Sequence, residues 1–107
     1  MKNDCTNQVR RQLYELNMIY EGHAKNEDGE PVSLYDWICD ALDIEYILDS
    51  NRALIGAHIY VTLGGPTVWV DTRRNSIECR WGTESDSRWL PCEIVDEIND
   101  ILSELWV

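Results

Sequence analysis

The groups in this chain that could do chemistry are two histidines, four cysteines and 20 carboxylates, set against nine Lys and Arg. Hydrolysis by a Ser-His-Asp arrangement needs a nucleophile held beside a base. His23 lies in the polar run "HAKNEDGEP" and His58 in the strand-like run "LIGAHIYVTL", and neither sits in a recognisable motif. His58, Asp71 and Glu78 become a metal or acid–base candidate if neighbouring strands bring their side chains to one face. Alternation along those strands does put His58, Tyr60, Trp69, Asp71, Glu78 and Arg80 together. A sheet face of Tyr, Trp, His and charges is a binding surface or an ordinary wet face. On the binding reading Tyr60, Trp69 and Asp71 carry the contact. The expectation is a protein that is not an enzyme, with no catalytic residue, no metal and no cofactor. A small enzyme using His58 and Asp71 is the minor reading.

Cys5, Cys39, Cys79 and Cys92 are scattered, with no C-x-x-C pair to suggest zinc. They read as free thiols of a reducing compartment, some of them buried. A Cys79–Cys92 disulfide is the open alternative.

The carboxylates are unevenly placed. Residues 89–107 carry Glu93, Asp96, Glu97, Asp100 and Glu104 and no base. On a helix these fall opposite an apolar face of Ile94, Val95, Ile98, Ile101, Leu102 and Leu105. Glu93–Glu97, Asp96–Asp100 and Asp100–Glu104 are i,i+4 like-charge pairs that weaken a helix, and Glu104 opposes its dipole. Five charges over eleven helical steps span roughly 17 Å, about one per 3–4 Å. One DNA strand carries about one charge per 3.4 Å. An acidic helix of that density suits a basic nucleic-acid groove on another protein, and the competing reading is a solvated face. The net charge of −11 argues against direct binding to nucleic acid or an anionic membrane.

These residues need elements to position them. At 107 residues the chain reads as one domain, 1–107. Asp4 or Thr6 caps a first helix with Val9, Leu13, Leu16 and Tyr20 on one face, and Gly22 ends it. Ser33-Leu34-Tyr35-Asp36 has the capping-box pattern and starts a short second helix running to about Leu42. From Asp43 the period changes to alternation. Strands are expected at 43–49, 54–63, 67–72 and 76–81, with "GTESDS" as a loop and Arg88-Trp89-Leu90 as a short fifth strand. Pro91 then opens the acidic last helix. The fold class is α+β: a four-stranded, with room for a fifth, antiparallel meander, two N-terminal helices and one C-terminal acidic helix, in two layers. Gly64-Gly65-Pro66 joins strand to strand, so it reads as a hairpin link and not as a phosphate loop, which joins strand to helix. Met1-Lys2-Asn3-Asp4 begins no apolar leader, and no apolar run reaches membrane length, so the chain reads as cytoplasmic.

The run Leu63 to Thr72, "LGGPTVWVDT", then Trp81-Gly82 and Ile94-Val95-Asp96-Glu97-Ile98, resembles small acidic proteins carried by plasmids, prophages and conjugative elements of Gram-positive gut bacteria. The likeness covers roughly residues 43–105. Such proteins include inhibitors of host defence nucleases, among them anti-CRISPR proteins that block Cas9. The resemblance implies a setting, the cytoplasm of a bacterial host, and carries over no contact residue. The expected partner is a basic nucleic-acid-binding protein such as a CRISPR effector nuclease. The alternative is an accessory module of a mobile element, a homodimer through its sheet face.

Overall fold

The computed structural model describes residues 4–106. Met1, Lys2 and Asn3, read above for the absence of an apolar leader, lie outside the described residues. The elements run α1 (Cys5–Tyr20), α2 (Leu34–Cys39), β1 (Asp43–Leu48), β2 (Leu54–Thr62), β3 (Thr67–Asp71), β4 (Ser76–Trp81), β5 (Glu84–Trp89) and α3 (Cys92–Trp106). The five strands form one antiparallel sheet in chain order. The class is α+β, with three helices and an open five-stranded meander among the described residues.

Capping chemistry sets the helix ends. Asp4 accepts the Asn7 N–H and caps α1. At the other end Gly22 takes φ 79°. Its N–H donates to Ile19 O and the His23 N–H to Met18 O, closing the helix as a Schellman turn. The buried stripe of α1 is Cys5, Val9, Gln12, Leu16 and Ile19. Tyr20, expected on that face, is exposed. Ser33 and Asp36 form the full capping box of α2. That helix stops at Cys39, short of Leu42, because the Leu42 N–H already donates to Tyr60 O on the sheet.

One face of the sheet is apolar. Ile59 pairs with Val70, and Val70 with Ile77, so three unexposed side chains cross β2, β3 and β4 in a row. The helices cover this face: Val9 and Leu16 of α1, Trp37 and Ile38 of α2, and Ile94, Val95, Ile98 and Leu102 of α3 join the strand residues in one cluster. Leu105 is only partly covered at the end of α3. The Trp106 ring ends 4.8 Å from that of Tyr46 on β1. The short axis of the molecule, 22 Å, is one helix layer on one sheet.

The fifth strand is longer than expected. "GTESDS" is not a loop: Gly82, at φ 62°, and Thr83 make a tight turn, and Trp81 pairs with Glu84 directly across it. Strand β5 is an edge paired through its backbone to β4, and its polar side chains leave it unattractive to a second sheet.

Candidate functional site

The uncovered face of the sheet is built by register. His58 lies opposite Asp71, and Tyr60 opposite Trp69, on β2 and β3. Trp69 lies opposite Glu78, and Thr67 opposite Arg80, on β3 and β4. The expected face is therefore assembled as read, and it gains Glu45, which pairs with His58 from β1. Beyond Tyr60 a register shift before Thr62 ends the strict alternation.

Asp71 is nearly buried, with a side chain 10% exposed, and its two oxygens divide the work. Oδ1 accepts the Arg73 N–H at 3.0 Å and the Arg74 N–H at 3.2 Å, which folds the β3–β4 turn. Oδ2 lies 3.1 Å from His58 Nε2. The other ring nitrogen, Nδ1, lies 3.6 Å from Glu45 Oε1. That same oxygen accepts the Tyr60 hydroxyl at 2.7 Å. The hydrogen bond to Glu45, then burial, then the charges of Glu45 and Asp43 push the Tyr60 phenol up to about 12. His58 thus stands between two carboxylates, and among the described residues no hydroxyl or thiol is bonded to its ring. Among the described residues no cluster of three or more His, Cys, Asp or Glu side chains is arranged to hold a metal ion.

A cleft of about 590 Å³ opens on this face between Ile47, His58, Trp69, Asp71 and Arg73. The Tyr60 and Trp69 rings lie 6.0 Å apart at 34° beside it. Arg73 crosses β2 where Gly56 has no side chain: a Cβ there would lie 2.2 Å from Arg73 Cγ. Gly64, at φ 101°, makes the β2–β3 link with Thr62 Oγ1 donating to Pro66 O at 2.8 Å. A Cβ at Gly65 would meet Trp81 Nε1 only at 3.8 Å, so Gly64 is the position whose backbone needs glycine.

The second surface is α3. Glu93, Asp96, Glu97, Asp100 and Glu104 are all exposed. At 3.6 residues per turn they fall within an arc of about 100°. Among the described residues none of them takes part in an ion pair. Glu104 is close enough to α2 to add, as a minor cause behind the Cys39 thiol, to the raised pKa of Tyr35. The five carboxylates form one continuous acidic stripe.

The residues expected to act are thus all placed, but on two surfaces. Glu93, Asp96, Glu97, Asp100 and Glu104 line the outer side of the helix layer. Tyr60, Trp69 and Asp71 line the opposite, uncovered side of the sheet. Asp71 is occupied with its own turn and with His58. Trp89, 81% exposed on β5 and opposite Ser76, extends the sheet face beyond what the sequence indicated. Cys79 meets Cys5 and not Cys92, which is exposed at the start of α3.

Neither family models, nor curated proteins, nor solved structures yield a match to this chain. Among the described residues no helix is long and apolar enough to cross a membrane.

Proposed function

We propose that this is a non-enzymatic interaction protein, borne by a mobile genetic element, that occupies the nucleic-acid groove of a basic host defence protein. A Cas9-type CRISPR effector in the bacterial cytoplasm is the first candidate partner. The carrying observation is the α3 stripe: five exposed carboxylates within a narrow arc, none in an ion pair among the described residues. Like charges at i,i+4 cost helix stability. A stripe kept at that cost and spaced like strand phosphates suits electrostatic steering into a basic groove. The resemblance of the Leu63–Thr72 string to mobile-element proteins supports the choice of target.

The second reading, an accessory module that dimerises through the sheet face, is favoured by Trp89, which stands 81% exposed on the uncovered side with Trp69 and Tyr60. Sedimentation that finds a tight dimer with Trp69 protected would favour it over the first.

The test is order of addition in a cleavage assay with guide-loaded Cas9. Added before target DNA, the protein should inhibit. Added after, it should not, because the groove is filled. Inhibition in both orders would move the contact to the nuclease step, and none in either order would remove this partner.

A further inference from the structure

Two thiols used by neither surface meet in the core. Cys5 opens α1 and Cys79 lies in β4, 74 positions later in the chain, and their sulfurs are 2.7 Å apart. Each residue is 1% exposed. The other two cysteines, Cys39 and Cys92, are exposed. We propose that Cys5 and Cys79 are a disulfide-forming site that, on reaction with a small-molecule disulfide such as oxidised glutathione, ties the first turn of α1 covalently to the sheet.

The geometry favours this pair over every other. A disulfide needs sulfurs about 2.05 Å apart, so bonding asks for less than an ångström of approach from the packed arrangement. The same packing controls reactivity. Burial, then the hydrogen bond to Cys5, push the Cys79 thiol up to about 12, so inside the closed protein it stays protonated. The thiolate is the nucleophile in exchange. Oxidation therefore waits until the first turn of α1 lifts away. Outside the thiols, that turn is fastened by the Thr6 hydroxyl, which donates to Asp86 Oδ2 at 2.8 Å. Thr6, and then the Ser87 N–H, hold the Asp86 carboxyl below its usual range, so it is a charged acceptor.

When the turn opens, Cys5 leaves the core with it and loses its proton to solvent. Its thiolate attacks one sulfur of oxidised glutathione, forms the mixed disulfide and releases one glutathione thiolate. The Cys79 thiol, now hydrated, also gives up its proton. Its thiolate attacks the Cys5 sulfur, closes the Cys5–Cys79 bond and expels the second glutathione. The two protein thiols lose two electrons and two protons, and one glutathione disulfide becomes two thiols.

The experiment is incubation with oxidised glutathione, alkylation under denaturing conditions, and mass mapping of the intact and digested protein. The expected product carries two alkyl groups, on Cys39 and Cys92, against four on the reduced chain, with residues 5 and 79 in one linked peptide; less those two groups its mass is below that of the reduced chain by two hydrogens. It should form about fivefold faster in Thr6→Ala, which loses the fastening hydrogen bond. It should form unchanged in a Cys39→Ser, Cys92→Ser double variant, in which neither Cys5 nor Cys79 is touched. The oxidised form should melt at a higher temperature than the reduced one. Four alkylated cysteines after prolonged oxidation, a stable glutathione adduct at Cys5, or a bond through Cys39 or Cys92 would overturn the assignment. An equal rate in Thr6→Ala would overturn the opening route.

Discussion

Glu97 on α3 and Trp69 on β3 face away from each other through the thickness of the molecule. Between them lie Ile98 and Val70, both unexposed, and the short axis is 22 Å. A single partner surface laid on the acidic stripe therefore does not reach the aromatic sheet face. The two surfaces that look joined in the sequence are separable by mutation, and each can be tested without the other.

Reversing Glu97 and Asp100 to Lys converts three repulsive i,i+4 pairs on α3 into attractive ones. Stability should rise, on the order of 1 kcal/mol. Binding to the basic partner should fall at least tenfold, and the salt dependence of what remains should flatten. Trp69→Ala should leave binding unchanged. Thermal melts and a salt-titrated binding assay read both effects. A more stable variant that binds as tightly as before would sink the acidic-stripe mechanism.

Thr72, the residue just past β3, serves two backbone bonds at once. Its N–H donates to Ala57 O at 3.1 Å, and its Oγ1 accepts the buried Ala57 N–H at 2.9 Å. Thr72→Val keeps the shape and the first bond but strands the Ala57 donor. The expected loss is about 1–3 kcal/mol in denaturant unfolding. A loss under 0.5 kcal/mol, roughly the noise of a surface change, would mean that a water replaces the hydroxyl.

Much of this architecture is legible in the residues themselves. The face shared by His58, Tyr60, Trp69, Asp71 and Glu78 follows from period-two alternation and short links, because both constrain register locally. The α3 stripe follows from helical spacing alone. The first part of β5 is hidden because Glu84, Ser85, Asp86 and Ser87 carry no apolar alternation on an edge that buries little. Glu45 is missed at His58 because the β1–β2 register includes an irregularity between Ile47 and Leu48. Cys5 does continue the 5-9-12-16-19 spacing of the buried stripe of α1. That signal places it in the core, but its meeting with Cys79 is tertiary. So is the way α3 packs on the covered face, and with it the separation of Glu97 from Trp69.

Gly56 interrupts the most strand-like stretch of the chain, and Arg73 explains it. An added methyl at Gly56 would lie 2.2 Å from Arg73 Cγ and 3.1 Å from its Cδ. Gly56→Ala should cost about 1–3 kcal/mol, the range of overpacking. Arg73→Ala removes both clashing atoms, so the double variant should recover on the order of 1 kcal/mol of that loss. A double-variant cycle by chemical denaturation measures it. Strict additivity would show that the strand backbone, and not the Arg73 stem, resists the methyl.

Tyr60 makes the sheet face sensitive to alkali in a definite direction. Its phenol is raised to about 12, first by donating to Glu45, whereas an unfolded tyrosine titrates near 10. The folded state therefore favours the protonated phenol. That contribution is complete below about pH 10 and declines as pH rises toward about 12. Phenolate absorbance, taken as the difference between wild type and Tyr60→Phe, should place the Tyr60 titration well above that of a free tyrosine. Glu45→Gln keeps an acceptor but removes the charge, so it should lower that midpoint without restoring the free value. Tyr60→Phe should lose less stability between pH 10 and 12 than wild type does. An unshifted Tyr60 midpoint would mean that the Glu45 hydrogen bond is not held in solution.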